Sequence, residues 1–279
     1  QLKSLIDDLQ SLTAQNSPPL FISVDQEGGR VARLKEPFTQ FPPMCCLGEA
    51  NSDDLAYRFG IAMGKEMKAV GINMDYAPVL DVHSNAENPI IGKRAISSNP
   101  EVVARLGCKI IQGFKDAGTF PVGKHFPGHG DTSQDSHLTL PRVERSKESL
   151  EKMELVPFAQ AFQEGLDVIM TAHVVYPAWD ENSAATFSKY ILNDILRNKM
   201  NFQGLVMSDD LEMQAVTQSP EELPALGINA GVDLFLICHD LDKVTRLQDA
   251  MIDGIKTGKI PHKTVDNSFN RIIKSKKKL

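Results

Sequence analysis

A (β/α)8 barrel is the fold this α/β chain predicts, on three observations. Short apolar runs alternate with helical patterns from one end to the other, which is βαβα order. The runs are nearly continuous in Val, Ile, Leu, Met and Phe, as suits strands of a parallel sheet covered by helices on both faces. Most of them end in polar residues, Asp25, Asp81, His125, His173, Asp209 and Asp210. Groups at many strand ends meet at one point only when the strands form a ring, because a barrel gathers its site at the C-terminal mouth. An open doubly wound sheet would scatter them. It would also be expected to carry a GxGxxG turn or a P-loop if it bound a nucleotide, and the chain has neither.

The strand candidates in order are PLFISVDQ (19–26), GINMDYAPVLDV (71–82), FPVGKH (120–125), LDVIMTAHVV (166–175), FQGLVMSDD (202–210) and GVDLFLICHD (231–240). Six runs fall short of the eight that a barrel needs. Either two strands lie upstream of Gln1 or the barrel is incomplete. Between the strands, Asn99 as N-cap and Pro100 open a helix whose apolar residues Val102, Val103, Leu106, Ile110 and Phe114 recur at helical spacing until Gly118 closes it. Ser219, Pro220 and Glu222 predict another start with a capping box. Helices are also expected over 146–165 and 188–200.

The length of 279 residues fits one barrel domain over 1–279, since single α/β barrels often reach ~200–250 residues and more. Hydrophobic content of 42% and charged content of 24% exclude disordered and fibrous classes. The net charge of -6 is spread out, and the one basic run, KSKKKL, reads as a solvated tail, so no nucleic-acid partner is expected. Cys45, Cys46, Cys108 and Cys238 show no disulfide spacing, which points to a reducing compartment and a cytoplasmic location. No run approaches the ~18 apolar residues of a membrane span, and QLKSLIDDLQSL is amphipathic rather than a signal. The chain opens on Gln1 rather than Met, so the numbering is expected to start inside a longer protein, with any targeting signal upstream. A monomer is expected.

The densest chemistry lies in KHFPGHGDTSQDSH (124–137), a Gly- and Pro-containing loop that follows the third strand directly. Within it Asp135 stands two residues from His137, near enough in a turn to orient the ring and make a proton-transfer dyad. Two other readings stay open: a loop histidine bonded for structure, and a metal set of His125, His129, Asp131, Asp135 and His137, although no established spacing such as HExxH is present. In MSDDLEM, strand alternation sends one of Asp209 and Asp210 into the mouth, whereas the bland reading has both capping the next helix. In VDQEGGR, Asp25 suits vicinal hydroxyls, and Glu27 with Arg30 is expected as a surface pair worth little. IIGKRAIS offers Arg94 as a fork donor or as a solvated side chain.

Taken in order, VDQEGGRV, NPIIGKRAIS, GKHFPGHGDTSQDSH and VMSDDLEM resemble the family 3 glycoside hydrolases, and more narrowly the bacterial β-N-acetylhexosaminidases of peptidoglycan recycling. The resemblance spans nearly the whole chain. It implies a TIM-like barrel, Asp209 as the nucleophile of a covalent glycosyl-enzyme, and His137 oriented by Asp135 as the acid and base. Asp25, Arg94, Lys124 and His125 would hold a terminal N-acetylglucosamine, with His173 near the site. The implied partner is a small saccharide or muropeptide, with no metal or other cofactor and no membrane. An imidazole in place of the second carboxylate of most retaining glycosidases avoids another negative charge beside Asp209. Its usual pKa of ~6.5 suits proton donation and acceptance near neutrality. Three features depart from or narrow the pattern. The family carries further strands before the position matching Phe21, Lys93 stands where relatives often have an acid, and no large second domain is expected after the helix around 268–273. The rivals are a phosphorylase, a metal-dependent hydrolase and a sugar-binding barrel without catalysis.

Overall fold

A computed structural model describes residues 1–13, 17–133 and 139–279. Its elements run α1 (Leu2–Ser11), β1 (Ser23–Val24), β2 (Gln26–Gly28), β3 (Val31–Ala32), α2 (Cys45–Ala50), α3 (Asp53–Val70), β4 (Met74–Asp75), α4 (Pro100–Ala117) and β5 (Phe120–Phe126). They continue α5 (Lys147–Met153), α6 (Leu155–Gln163), β6 (Val168–Thr171), β7 (Val175–Tyr176), β8 (Asp180–Ala184), a π-helical segment (Tyr190–Lys199), β9 (Leu205–Asp210), α7 (Leu223–Ala230), β10 (Leu234–Leu236), α8 (Leu241–Lys256) and α9 (His262–Lys276).

Local chemistry sets many of the helix ends. Asn99 accepts the N–H groups of Glu101 and Val102, and Gly118 closes α4 in the left-handed region at φ 78°. Ser52, Ser146 and Asp240 cap α3, α5 and α8 in the same way. Three expectations are corrected. The helix over 146–165 breaks at Glu154 into α5 and α6. The one over 188–200 is π-helical. Glu222 does take the Ser219 N–H at 3.0 Å, but α7 begins only at Leu223.

Each of the six apolar runs contributes one strand to a parallel sheet of order β1-β4-β5-β6-β9-β10. The strands are shorter than the runs, and the hairpins β2/β3 and β7/β8, which the apolar pattern did not reveal, are cut from the segments after β1 and β6. The barrel expectation holds in part, as the incomplete barrel that six runs allowed rather than as a closed (β/α)8 ring. Among the described residues the sheet is a curled half-barrel of six strands, and no ladder joins β10 back to β1. A closed ring of this kind needs eight.

Strand parity sorts the core. Met74, Tyr76, Phe120, Val122, Val168, Met170, Leu205 and Met207 fill the concave side, and register pairs such as Val168 with Leu205 and Met170 with Met207 place them in layers. The alternate residues Ile169 and Val206 pack outward on the helices beside Phe158, Ile191 and Leu196. Continued by two residues, the inward series reaches Lys124 on β5 and Asp209 on β9. Parity therefore aims these two side chains into the mouth.

Candidate active site

A cleft of about 920 Å³ opens at the C-terminal ends of the strands, lined among others by Asp25, Tyr76, Arg94, Lys124, His125 and Asp209. That volume lies at the upper end of small-molecule sites.

One wall is an ion cluster. Lys124 is 2% exposed, and its Nζ lies 2.6 Å from both Asp25 Oδ1 and Glu27 Oε1. Glu27 is buried and accepts a bidentate fork from Arg94, Nε at 2.8 Å and Nη2 at 2.7 Å. Burial pushes the Glu27 carboxyl up, but Lys124 and Arg94 together bring it down to about 2. Burial likewise opposes the charge on Lys124, and Asp25 with Glu27 overcomes this and raises its pKa. The surface pair expected of Glu27 and Arg30 is thus overturned: Glu27 is a buried counter-ion, and Arg30 donates to the Ile90 carbonyl. Beneath the cluster, buried Asp75 has its carboxyl raised well above the usual range by desolvation.

A second group fixes His125. Its Nδ1 lies 2.7 Å from Asp81 Oδ2, while Asp81 Oδ1 accepts the backbone N–H of His125 at 3.0 Å and of His129 at 2.7 Å. Burial would raise Asp81, but His125 outweighs it and holds the carboxyl below its usual value. An ionised Asp81 accepts the Nδ1 proton and leaves Nε2 toward the cleft, 3.5 Å from Arg94 Nη2. Burial, helped by His125, pushes His129 down to about 4, so its imidazole is neutral.

Asp209 accepts the N–H of Asp210 at 2.8 Å. Burial raises its carboxyl, yet His125, His173, that N–H and Lys124 together hold it below the usual range. It is a carboxylate at neutral pH. His173 is buried behind it, with Nε2 donating to the Asp210 carbonyl at 3.1 Å and Nδ1 at 2.8 Å from Thr186 Oγ1. Burial lowers its pKa. His173 thus braces the end of β9 and does not line the cleft. Asp135 and His137 lie outside the described residues.

The loop approaching them is tied down over its first part. Asn88 Nδ2 donates to the carbonyls of His129 and Gly130 and to Thr132 Oγ1, while Asp131 accepts from Arg145 at 2.5 Å and from Ser84 at 3.1 Å. Of the metal set weighed from the sequence, Asp131 is engaged by Arg145, and the His125 and His129 rings stand edge to face at 5.7 Å. The described residues whose ligand atoms gather within 4.8 Å are instead Asp210, Glu212 and His239. There Glu212 already accepts the N–H groups of Cys238, His239 and Asp240, which ties down the loop before α8.

Sequence reasoning missed Glu27 as a counter-ion, Asp81 as the partner of His125, and Asn88 and Arg145 as loop anchors. Only Asp81 carried a signal, as a polar residue ending an apolar run.

The profile of the glycosyl hydrolase family 3 N terminal domain matches residues 1–275. Beta-hexosaminidase A of Pseudoalteromonas piscicida is 36% identical over 305 residues, covering 100% of this chain and 51% of that protein. Beta-hexosaminidase of Nitrosomonas eutropha is 39% identical over 267 residues, covering 90% and 75%. Among solved structures, a glycoside hydrolase family 3 beta-N-acetylglucosaminidase from Paenibacillus sp. str. FPU-7 superposes with a TM-score of 0.97 at 40% identity, covering 99% of this chain and 53% of that one. NagZ from Neisseria gonorrhoeae, in complex with N-trifluoroacetyl-D-glucosamine, gives a TM-score of 0.82 at 39% identity, covering 89% and 73%. The chain thus spans about half the length of the Pseudoalteromonas and Paenibacillus proteins. With the profile match running almost end to end, this chain belongs to the family of the glycosyl hydrolase family 3 N terminal domain.

Proposed function

We propose that the chain carries the active site of a retaining exo-β-N-acetylglucosaminidase that removes terminal N-acetylglucosamine from peptidoglycan fragments. The observation that carries this reading is the Asp209 carboxylate, ionised and aimed by strand parity into a cleft opposite Lys124, His125 and Asp25. The names of the similar proteins, and the N-acyl glucosamine bound to the Neisseria NagZ, support the sugar class.

In this mechanism a carboxylate oxygen of Asp209 attacks C1 and the glycosidic C–O bond breaks, leaving a covalent glycosyl-enzyme. His137, oriented by Asp135, protonates the departing oxygen and afterwards takes a proton from the water that attacks the glycosyl ester. Asp25 accepts from vicinal sugar hydroxyls, Lys124 donates beside it, and His125 Nε2 accepts a further hydroxyl. Arg94 serves the sugar chiefly through Glu27, because its fork is already spent there.

The test is the rate on nitrophenyl β-N-acetylglucosaminide and nitrophenyl β-glucoside, for wild type and Asp209→Ala, with and without phosphate. The expected outcome is acetamido-sugar cleavage, indifferent to phosphate, that falls by at least about 10³-fold in a variant with unchanged circular dichroism. Appreciable residual activity removes Asp209 as nucleophile, and a phosphate-dependent sugar phosphate product makes the chain a phosphorylase.

A further inference from the structure

Below the anchored part of the loop lies a carboxyl that the mechanism above does not use. Glu154, at the break between α5 and α6, is fully buried, and its oxygens make no well-formed hydrogen bond among the described residues, with only the Ser84 hydroxyl placed to approach them. It lies directly under Gly128, where a Cβ would fall 2.2 Å from Glu154 Oε2 at a φ of +145° that already favours glycine. Tyr176 closes the same space by donating its hydroxyl to the Gly128 carbonyl. The charged groups facing Glu154 are Asp81 from the segment after β4, Asp131 from the loop and Arg145 from the approach to α5, with Ser84 and Tyr176 as neutral neighbours. Arg145 is committed to Asp131 through Nη2, yet its Nε is buried without a partner among the described residues.

A charged carboxylate with no more than the Ser84 hydroxyl to stabilise it, and with the Asp81 and Asp131 carboxylates acting on it, is a costly occupant of such a place. A neutral acid is tolerated. We propose that Glu154 is a positioning residue: carried protonated beneath Gly128 it leaves Arg145 to Asp131, and once ionised it competes for that guanidinium and withdraws the anchor of the loop that continues in sequence to Asp135 and His137. Burial first, then Asp81 and Asp131, push its carboxyl from 4.5 up to about 8, which places the change just above neutrality. The role in catalysis rests on the glycosidase reading, whereas the ionisation itself does not.

The sign follows from linkage. Between about pH 4.5 and 8 the folded chain holds a proton that the unfolded chain has lost, so stability falls across that window and levels off above it. The experiment compares wild type, Glu154→Gln and Asp131→Asn by thermal melting and by rate on nitrophenyl β-N-acetylglucosaminide from about pH 4.5 to 10. The melting advantage of Glu154→Gln over wild type should grow with pH through the window, and a constant difference overturns the proposal. The rate ratio of Glu154→Gln to wild type should rise at least about fivefold between pH 7 and 9. An unchanged ratio leaves Glu154 a merely structural acid and overturns the positioning role. If Glu154→Gln does not fold, Asp131→Asn decides. It removes one of the two carboxylates and frees Arg145, so its loss of melting temperature with rising pH should level off at lower pH and be smaller in total, and an unmoved plateau overturns the proposal. The melting arm needs no substrate, so it stands even if neither sugar is cleaved.

Discussion

Glu27 shows what one residue does in this site. Two cations, buried Lys124 and half-buried Arg94, converge on one carboxylate that is 1% exposed. With its pKa lowered from 4.5 to about 2, Glu27 contributes stability that is fully present above about pH 4.5 and is lost as pH falls toward 2. The amount is on the order of 3 kcal/mol. Glu27→Gln leaves both cations without their counter-charge, and breaking such a buried pair costs roughly 3–5 kcal/mol. The expected result is a melting temperature lowered at pH 7 and a flatter decline in acid. A variant that melts and titrates like wild type would return Glu27 to the surface role that VDQEGGR suggests. Arg94 illustrates the same limit of the sequence: the fork was visible, but its first partner is a carboxylate of the protein itself, 67 positions away.

At the scale of elements, the close packing of α3 on α4 depends on glycine. A Cβ on Gly113 would stand 2.3 Å from the Tyr57 carbonyl and 2.8 Å from the Ile61 nitrogen. Replacing glycine by alanine inside a helix ordinarily stabilises by roughly 0.5–1 kcal/mol. Overpacking costs about 1–3 kcal/mol, so here it should win. Gly113→Ala is therefore expected to lower the melting temperature by several degrees, and a rise would mean that the helices separate without loss. The ends of α4 were legible because Asn99, Pro100 and Gly118 act locally. The break at Glu154 was not, since Leu150 before it and Leu155, Phe158 and Ala161 after it join the same core and keep one unbroken apolar pattern.

Across the whole molecule the two ends of the sheet divide the work. The mouth gathers Asp25, Lys124, His125 and Asp209. Near the opposite end, buried Asp233, just before β10, accepts from Arg197 at 3.1 Å, from Arg271 of α9 at 2.7 Å and from the Val206 N–H at 3.0 Å. This carboxylate ties the π-helical segment and the last helix to the sheet, away from the cleft. Asp233→Ala should cost roughly 3–5 kcal/mol, a drop on the order of 10 °C in melting temperature. The rate per folded molecule on the acetamido sugar should stay within about twofold. A rate that falls in step with stability would show that the two ends are coupled.

The sequence by itself determined the six strands and their order and the caps of α4, and its period-2 alternation required that one of Asp209 and Asp210 face inward. These are local properties, written in neighbouring residues. Only the tertiary structure decided that Glu27 is buried, that Asp81 holds His125 and that the described strands form half a ring. The physical reason is distance along the chain: Lys124 meets Asp25 across 99 positions and His125 meets Asp81 across 44. No local pattern records a partner that the curl of the sheet brings in.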